Sequence, residues 1–569
     1  MARNKRGVRK NAARQALRFT KPATWLPSGW QPSELPTSLV NRMRAGVSQP
    51  GHLGRLRQAL SRIDQGAPLT MAVIGSSLTA DFAGVVGSMQ DRFQLGYIGT
   101  PARCKKDCVR LGWVLPVFRF LTQHSNQSTA SSVINAGQAA RYMSNYVDCT
   151  SSVVPAEVDL VILDGVNGMS PIVGNMFMPT EKLLRRLLAL PHRPALVVLH
   201  WIDWCTCAGP RCTPEPRIFR HRNRSCYTAE GFNHSWTVSQ HREHVTWTRL
   251  ARHYNITVLS LSRAFHPFAE QRRGRGAYTS AEELANWTWD GLHPKPCDRH
   301  GLRPAWQKCH YTLLVASLIN NFFADVRSGH LGSQADEREP LPVPCKSIKA
   351  RAKEGAPTRE RCFGWGLDRY VPPSASVISG WRQTWMDTAV SFEPPSHCRR
   401  SRNALPPSCP KPKAGLTAFV PGSRVILELP LSTAHSIIPE TGGAWHMRSW
   451  NATLALTYLS SYEGMGAAVI SCVSQCHCTP TMVDAHRASL PDGHASSKDS
   501  DSTFISVWER ESIPVVLTNP GPCKVQVMVN NHTRSGRHKF KLSTLTLHWS
   551  DDQSQLGLST PSCTPRRHV

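Results

Sequence analysis

Acidic residues are scarce in this chain of 569 residues: 39 Asp and Glu stand against 67 Lys and Arg, a formal charge of +28. That balance points to anionic partners such as an acidic polysaccharide, a membrane surface or nucleic acid. The basic runs at the N-terminus, at residues 346–361 and at 399–413 are not interleaved with aromatics, which argues against a nucleic-acid stacking surface. A run of about 18 apolar residues is also missing, so no membrane-spanning helix is expected. The 18 cysteines form no C-x2-C framework, which removes the zinc ribbons and their relatives. No internal repeat occurs, and solenoid arrays are thereby excluded.

The N-terminus has no acidic residue before Glu34 and no apolar core of signal-peptide length. Its Arg-rich start resembles an organellar transit peptide; a start missing its leader and a solvated basic tail are the other options. Against the transit peptide stand the cysteines and seven Asn-x-Ser/Thr sequons, at Asn126, Asn223, Asn233, Asn255, Asn286, Asn451 and Asn531. Chance would supply roughly three. Together they favour the secretory route and an extracellular, disulfide-bonded glycoprotein.

Hydrophobic content of 40% is enough to fill cores in two or three units. From Leu69 to Ile319, apolar runs of strand length alternate with helical stretches, the pattern of a parallel sheet built from βαβ units. The expected strands are Leu69 to Gly75, Val133 to Asn135, Val158 to Leu163, Ala195 to His200 and Ile256 to Leu261. Their apolar character suits strands covered on both faces. Helices are expected at Thr180 to Leu190, Ser239 to Tyr254 and Tyr311 to Phe323. Short alternating runs follow from Ser423 to His548 and read as an all-β sandwich, with Asp484 to Asp501 set aside as a polar loop. The expected organisation is a basic tail at 1–50, an α/β unit at 51–327 and a Pro-rich basic linker at 328–413 with some order near Cys362 to Tyr370. A β-sandwich at 414–552 and a tail at 553–569 complete it.

The first strand runs into Gly75-Ser76-Ser77-Leu78, a serine at a strand tip where the chain turns toward a helix. A serine hydroxyl needs a base within reach and a group to orient that base. The plainer alternative is a serine capping the next helix. Downstream, Asp290-Gly291-Leu292-His293 is the only Asp-x-x-His in the chain. It follows the fifth expected strand, so its loop at the carboxyl edge of the sheet could bring His293 to Ser77, with Asp290 orienting the imidazole. Acyl transfer also needs donors for an oxyanion. The amides of Ser77 and Ala140 and the side chain of Asn167 are candidates, standing after the first, second and third strands. Asn135, Gly137, His200 and Trp289 are candidate pocket residues.

These four blocks resemble those of the SGNH, or GDSL-like, hydrolases, in the same order and over about Leu69 to Phe323. Ser76 stands where that family has aspartate, Ala140 where it offers a glycine amide, and Gly168 where an aspartate follows the asparagine. The resemblance implies a three-layer α/β/α sandwich with a five-stranded parallel sheet, flavodoxin-like, and serine chemistry without metal or cofactor. More distantly, the arrangement is similar to SGNH proteins of algae and protists that add a C-terminal β-domain. The implied activity is an esterase on an acylated carbohydrate or other acyl ester. An O-acyltransferase using the same triad, and a glycan-binding surface protein that has lost turnover, remain open. His200 with Cys205, Cys207 and Cys212, or Cys297, His300, Cys309 and His310, could be drawn as zinc sites, but their irregular spacing reads better as disulfides. In the β region, Trp445, Trp450, Tyr458 and Tyr462 are candidates for a carbohydrate platform or for core. Nothing in the sequence gives the oligomeric state.

Overall fold

The computed structural model describes residues 43–76, 78–79, 113–123, 131–137, 143–165, 177–201, 240, 243–264, 310–331, 340, 359–365, 373–384, 415–430, 450–461, 464–486, 507–518 and 521–549.

The first sheet contains β1 (Val47–Gln49), β2 (Thr70–Ile74), β3 (Ser132–Asn135), β4 (Leu160–Asp164), β5 (Ala195–His200) and β6 (Thr257–Ser260). Its strand order is β1-β6-β5-β4-β2-β3. Five strands are parallel, and β1 pairs antiparallel with β6 at the edge. The five parallel strands are those expected from the apolar runs, shifted by at most two residues at either end. The added edge strand makes six; three residues between glycines and a proline carry too little pattern to be read as a strand.

Alternate residues of these strands face opposite ways. Met71, Val73, Leu160, Ile162, Val197 and Leu199 join one buried cluster with α1 (Gly54–Asp64), α2 (Val114–Thr122) and, later in the chain, the long helix His310–Arg327. Ala72, Ile74, Val161, Leu163, Leu196 and Val198 join another. There they meet α3 (Ser144–Val147), α4 (Thr150–Val153), α5 (Phe177–Leu188) and α6 (Arg249–Tyr254), which continues a π-helical turn at Glu243–Thr248. The helix His310–Arg327 is α7. Each fully buried aliphatic or aromatic side chain contributes about 1.5–3 kcal/mol. Helix α1 buries Leu56, Ala59, Leu60 and Ile63, a helical spacing upstream of the region the strand pattern drew attention to.

The later part of the chain is antiparallel. One sheet runs β14 (Cys476–His477), β16 (Val507–Leu517), β12 (Trp450–Ser460), β18 (Phe540–Trp549), β10 (Gly415–Ala418) and β9 (Trp381–Thr384), with β7 (Arg359–Gly364) also paired to β18. The second runs β15 (Thr481–Asp484), β13 (Ala467–Ser474), β17 (Cys523–Val529), β11 (Arg424–Leu429) and β8 (Ser374–Ser379). Both contribute to one core, including Leu454, Leu456, Val525, Val527, Leu545 and Leu547. Strands β7, β8 and β9 fall within the segment read as a linker. They are short and stand between Pro-rich stretches, and β8 is exposed along its whole length, so no alternation marks it. Tyr458 stacks on Phe540 at 5.8 Å within the core rather than forming a platform.

Among the described residues, disulfides join Cys149 to Cys362, Cys472 to Cys478 and Cys476 to Cys523. They fit an oxidising compartment. Among the described sequons, Asn451 and Asn531 are exposed, whereas Asn255 is buried at the end of α6 in the left-handed conformation. No helix among the described residues is long and apolar enough to cross a membrane.

Candidate active site at the carboxyl ends of β2 and β4

The parallel strands lie in the order second, first, third, fourth, fifth. In such a sheet the crevice for a ligand opens outside the carboxyl ends of the first and third strands, where the connections leave toward opposite faces. Here those strands are β2 and β4, and their ends are tied together.

The tie is made by Asp164, the last residue of β4, which is fully buried. Its Oδ2 accepts the Ser76 amide at 3.0 Å, the Ser76 hydroxyl at 2.7 Å and the Thr79 hydroxyl at 2.9 Å. The Ser76 hydroxyl in turn accepts the Leu78 amide at 3.1 Å, and the Thr79 amide donates to the Ser76 carbonyl at 3.1 Å. A tight turn thus brackets position 77. Gly75 is required beside it, because a Cβ there would fall 2.3 Å from Asp164 Cβ and 2.4 Å from Thr79 Oγ1.

Strand β3 braces the same turn. The Asn135 side-chain amide donates to the Thr79 carbonyl at 2.7 Å, while its oxygen accepts the Gly137 amide at 2.9 Å. The Tyr146 hydroxyl sits 2.7 Å from the Gly75 carbonyl and 2.8 Å from that of Ala136, and donates its single proton between them. The Trp113 indole donates to the Leu78 carbonyl at 3.2 Å. Beyond Asp164, the Gly165 amide donates to the Leu199 carbonyl at 2.8 Å, and its own carbonyl accepts the Trp247 indole at 3.2 Å. Each buried polar group at this edge that is named here therefore has a partner, as a buried site requires.

At the end of β5, His200 and Trp201 are buried. Close by, Glu243 opens the π-helical turn and accepts from Ser48, from Ser260 at 2.6 Å, from Ser262 at 3.1 Å and from Arg263 at 3.1 Å. Burial pushes the Glu243 carboxyl up, but His200, the Ser260 and Ser48 hydroxyls and Arg263 outweigh it and hold it below its ordinary value.

Of the residues selected from sequence, the structure brings Asn135 to the turn that brackets position 77, with the Gly137 amide holding the Asn135 side chain, and sets His200 at the end of β5, two strands from β2. Asn135 braces that turn through both ends of its side chain. Ser77, Ala140, Asn167, Trp289, Asp290 and His293 lie outside the described residues, as do Cys205, Cys207, Cys212, Cys297, His300 and Cys309 of the drawn zinc sites. Asp164, Thr79 and Tyr146 were not singled out from sequence. Asp164 did leave a signal, as the one charge closing the apolar run Leu160 to Leu163. Among the described residues, Cys472, Cys476 and Cys523 bring their sulfurs within 4.8 Å of one another, and all three are in disulfides.

No protein-family model matches this chain, and no curated protein matches it. Among solved structures, a two-domain esterase active on acetylated mannans is similar over 89% of this chain and 97% of its own, at 18% identity and a TM-score of 0.47. The same kind of esterase with mannopentaose is similar over 90% and 98%, at 17% identity and a TM-score of 0.46. Est24, a carbohydrate acetylesterase from Sinorhizobium meliloti, is similar over 46% of this chain and 99% of its own, at 13% identity and a TM-score of 0.24. At these identities and scores the likenesses say nothing about chemistry, which rests on the residues of the site.

Proposed function

We propose that this chain is a serine ester hydrolase that removes acetyl or other acyl groups from an acylated carbohydrate through an acyl-Ser77 intermediate. The observation that carries this reading is the Asp164 tie between β2 and β4, which braces the turn around position 77 at the crevice where such a sheet takes its ligand. A capping serine would not need a buried carboxylate beneath it.

In this reading His293 takes the Ser77 proton as the hydroxyl attacks the acyl carbon, and Asp290 holds the imidazole in the required tautomer. The amides of Ser77 and Ala140 and the side chain of Asn167 receive the oxyanion. His293 then protonates the leaving alcohol; next it takes a proton from water, whose oxygen releases the acyl group as the acid. With an acceptor hydroxyl in place of water, the same residues would transfer the acyl group. No metal or cofactor enters these steps. The strongly basic chain suits an anionic polysaccharide as substrate or anchor. The same reading takes residues 51–327 as a three-layer α/β/α sandwich and 414–552 as a β-sandwich, extended by the strands at 359–384.

A fluorophosphonate probe should label the wild type and not Ser77→Ala. Deacetylation of a panel of acetylated glycans, acetylated mannan included, should be lost in His293→Ala. Labelling that persists in Ser77→Ala, or never appears in folded wild type, would overturn the esterase reading. The second reading is a glycan-binding protein with this fold and no turnover, favoured by the residues at Ser76, Ala140 and Gly168. It predicts retention on anionic polysaccharide without labelling.

A further inference from the structure

Asp164 is a carboxylate with no exposure, placed under a turn rather than in a cleft. A carboxylate in such a place is costly unless its lone pairs are filled, and here three donors converge on a single oxygen. All three come from residues 76 and 79, on either side of position 77. The donors also differ in kind: one main-chain amide sets the direction in which the chain leaves β2, and two hydroxyls hold the following residues down against β4. Ser76 passes the constraint on, since its oxygen accepts the Leu78 amide immediately after position 77. Gly75, without a Cβ, lets the main chain come close enough for this, and Asn135 closes the far end through the Thr79 carbonyl.

We propose that Asp164 is the positioning residue of the nucleophile turn: its carboxylate fixes the main chain on both sides of Ser77 and so sets the direction in which the Ser77 hydroxyl is presented. This rests on the reading of Ser77 as nucleophile. In this proposal Asp164 acts through Ser76 and Thr79, not on the substrate itself. Its aspartate character is needed because a neutral amide oxygen binds three donors more weakly than a charged one.

The experiment measures the fluorophosphonate labelling rate, kcat and KM on folded wild type, Asp164→Asn and the double variant Ser76→Ala/Thr79→Val, which removes two of the three donors from the other side. Misplacement of a reacting group by about 1 Å costs roughly 10²-fold. We therefore expect labelling rate and kcat to fall about 10-fold or more in both variants, with KM within about twofold and circular dichroism unchanged. Ser76→Asp sets a second carboxylate against Asp164 and should label more slowly still; adding Asp164→Asn to it should recover part of the rate.

Wild-type labelling and kcat in folded Asp164→Asn would overturn the proposal. If Asp164→Asn does not fold, the same result in Ser76→Ala/Thr79→Val would overturn it. So would Ser76→Asp/Asp164→Asn labelling no faster than Ser76→Asp. Absence of labelling in wild type, or its persistence in Ser77→Ala, is a different failure and removes the esterase reading itself.

Discussion

Cys149 and Cys362 are joined by a disulfide across 213 residues of sequence, with 5.6 Å between their Cα atoms. It links the turn between α3 and α4, beside the parallel sheet, to strand β7 of the antiparallel region. Cys149 holds a left-handed backbone conformation with φ of 67°, uncommon for a residue with a side chain. Next to it, Asp148 accepts a hydrogen bond from Arg510 of β16 and lies 3.1 Å from His548 Nε2 of β18. Arg186 of α5 pairs with Glu360 of β7. Among the described residues, the two regions are thus held by this covalent link and a compact set of charges.

Removing the link should loosen the chain without erasing either core. Cys149→Ser/Cys362→Ser is expected to lose about 2–4 kcal/mol, since a long loop is no longer closed in the unfolded state. Thermal unfolding with and without reductant checks this, and the variant should show the smaller response to reductant.

The Asp148 carboxyl gives a pH signature. Burial pushes it up, but His548, Arg510 and Lys182 more than compensate and hold it well below the usual carboxylate range. Because the folded value is depressed, its contribution is present above the ordinary value near 3.8 and is lost as pH falls below it. Asp148→Asn should therefore destabilise by about 3 kcal/mol near neutrality, as when one partner of a buried pair is removed. The gap to wild type should be constant from pH 7 to about 4 and begin to narrow below 3.8, in denaturant titrations carried down to pH 2.

Lys541 of β18 shares the direction of the shift, but here the substitution should stabilise rather than destabilise. Only 5% exposed, it packs over Gly415, where a Cβ would fall 2.9 Å from Lys541 Cε. Burial, with Lys539 nearby, pushes its amine down from 10.5 to about 7. Between those values the unfolded chain binds a proton that the folded chain lacks, so wild-type stability should rise with pH across that window. Lys541→Met should be more stable than wild type at pH 7, and the advantage should shrink toward pH 10. Denaturant midpoints at the two pH values decide it.

Gly75→Ala tests the space under the turn around position 77. The added methyl meets Asp164 Cβ and Thr79 Oγ1 well inside contact distance, and neither β4 nor the turn can yield without breaking the Asp164 bonds. A loss of about 1–3 kcal/mol is expected, with fluorophosphonate labelling falling more steeply than thermal stability.

The sequence by itself determined the five parallel strands, half of the later antiparallel strands and the order of the candidate site blocks. It could do so because strands buried on both faces write continuous apolar runs, and half-buried ones write alternation. Helices α1 to α4, edge strand β1 and strands β7 to β10, β14 and β15 escaped it, most of them short, exposed or flanked by proline. The tertiary structure alone decided that β4 lies beside β2, and hence that Asp164 reaches Ser76 and Thr79 across 88 and 85 residues. It alone decided the disulfide partners and the meeting of Asp148 with Arg510 and His548. Ser77 reads in sequence as a serine at a strand tip; the fold places beneath its neighbours a buried carboxylate that only strand order could bring there. Periodicity records which face of an element is buried, whereas pairing between distant elements depends on chain topology, and no local pattern encodes that.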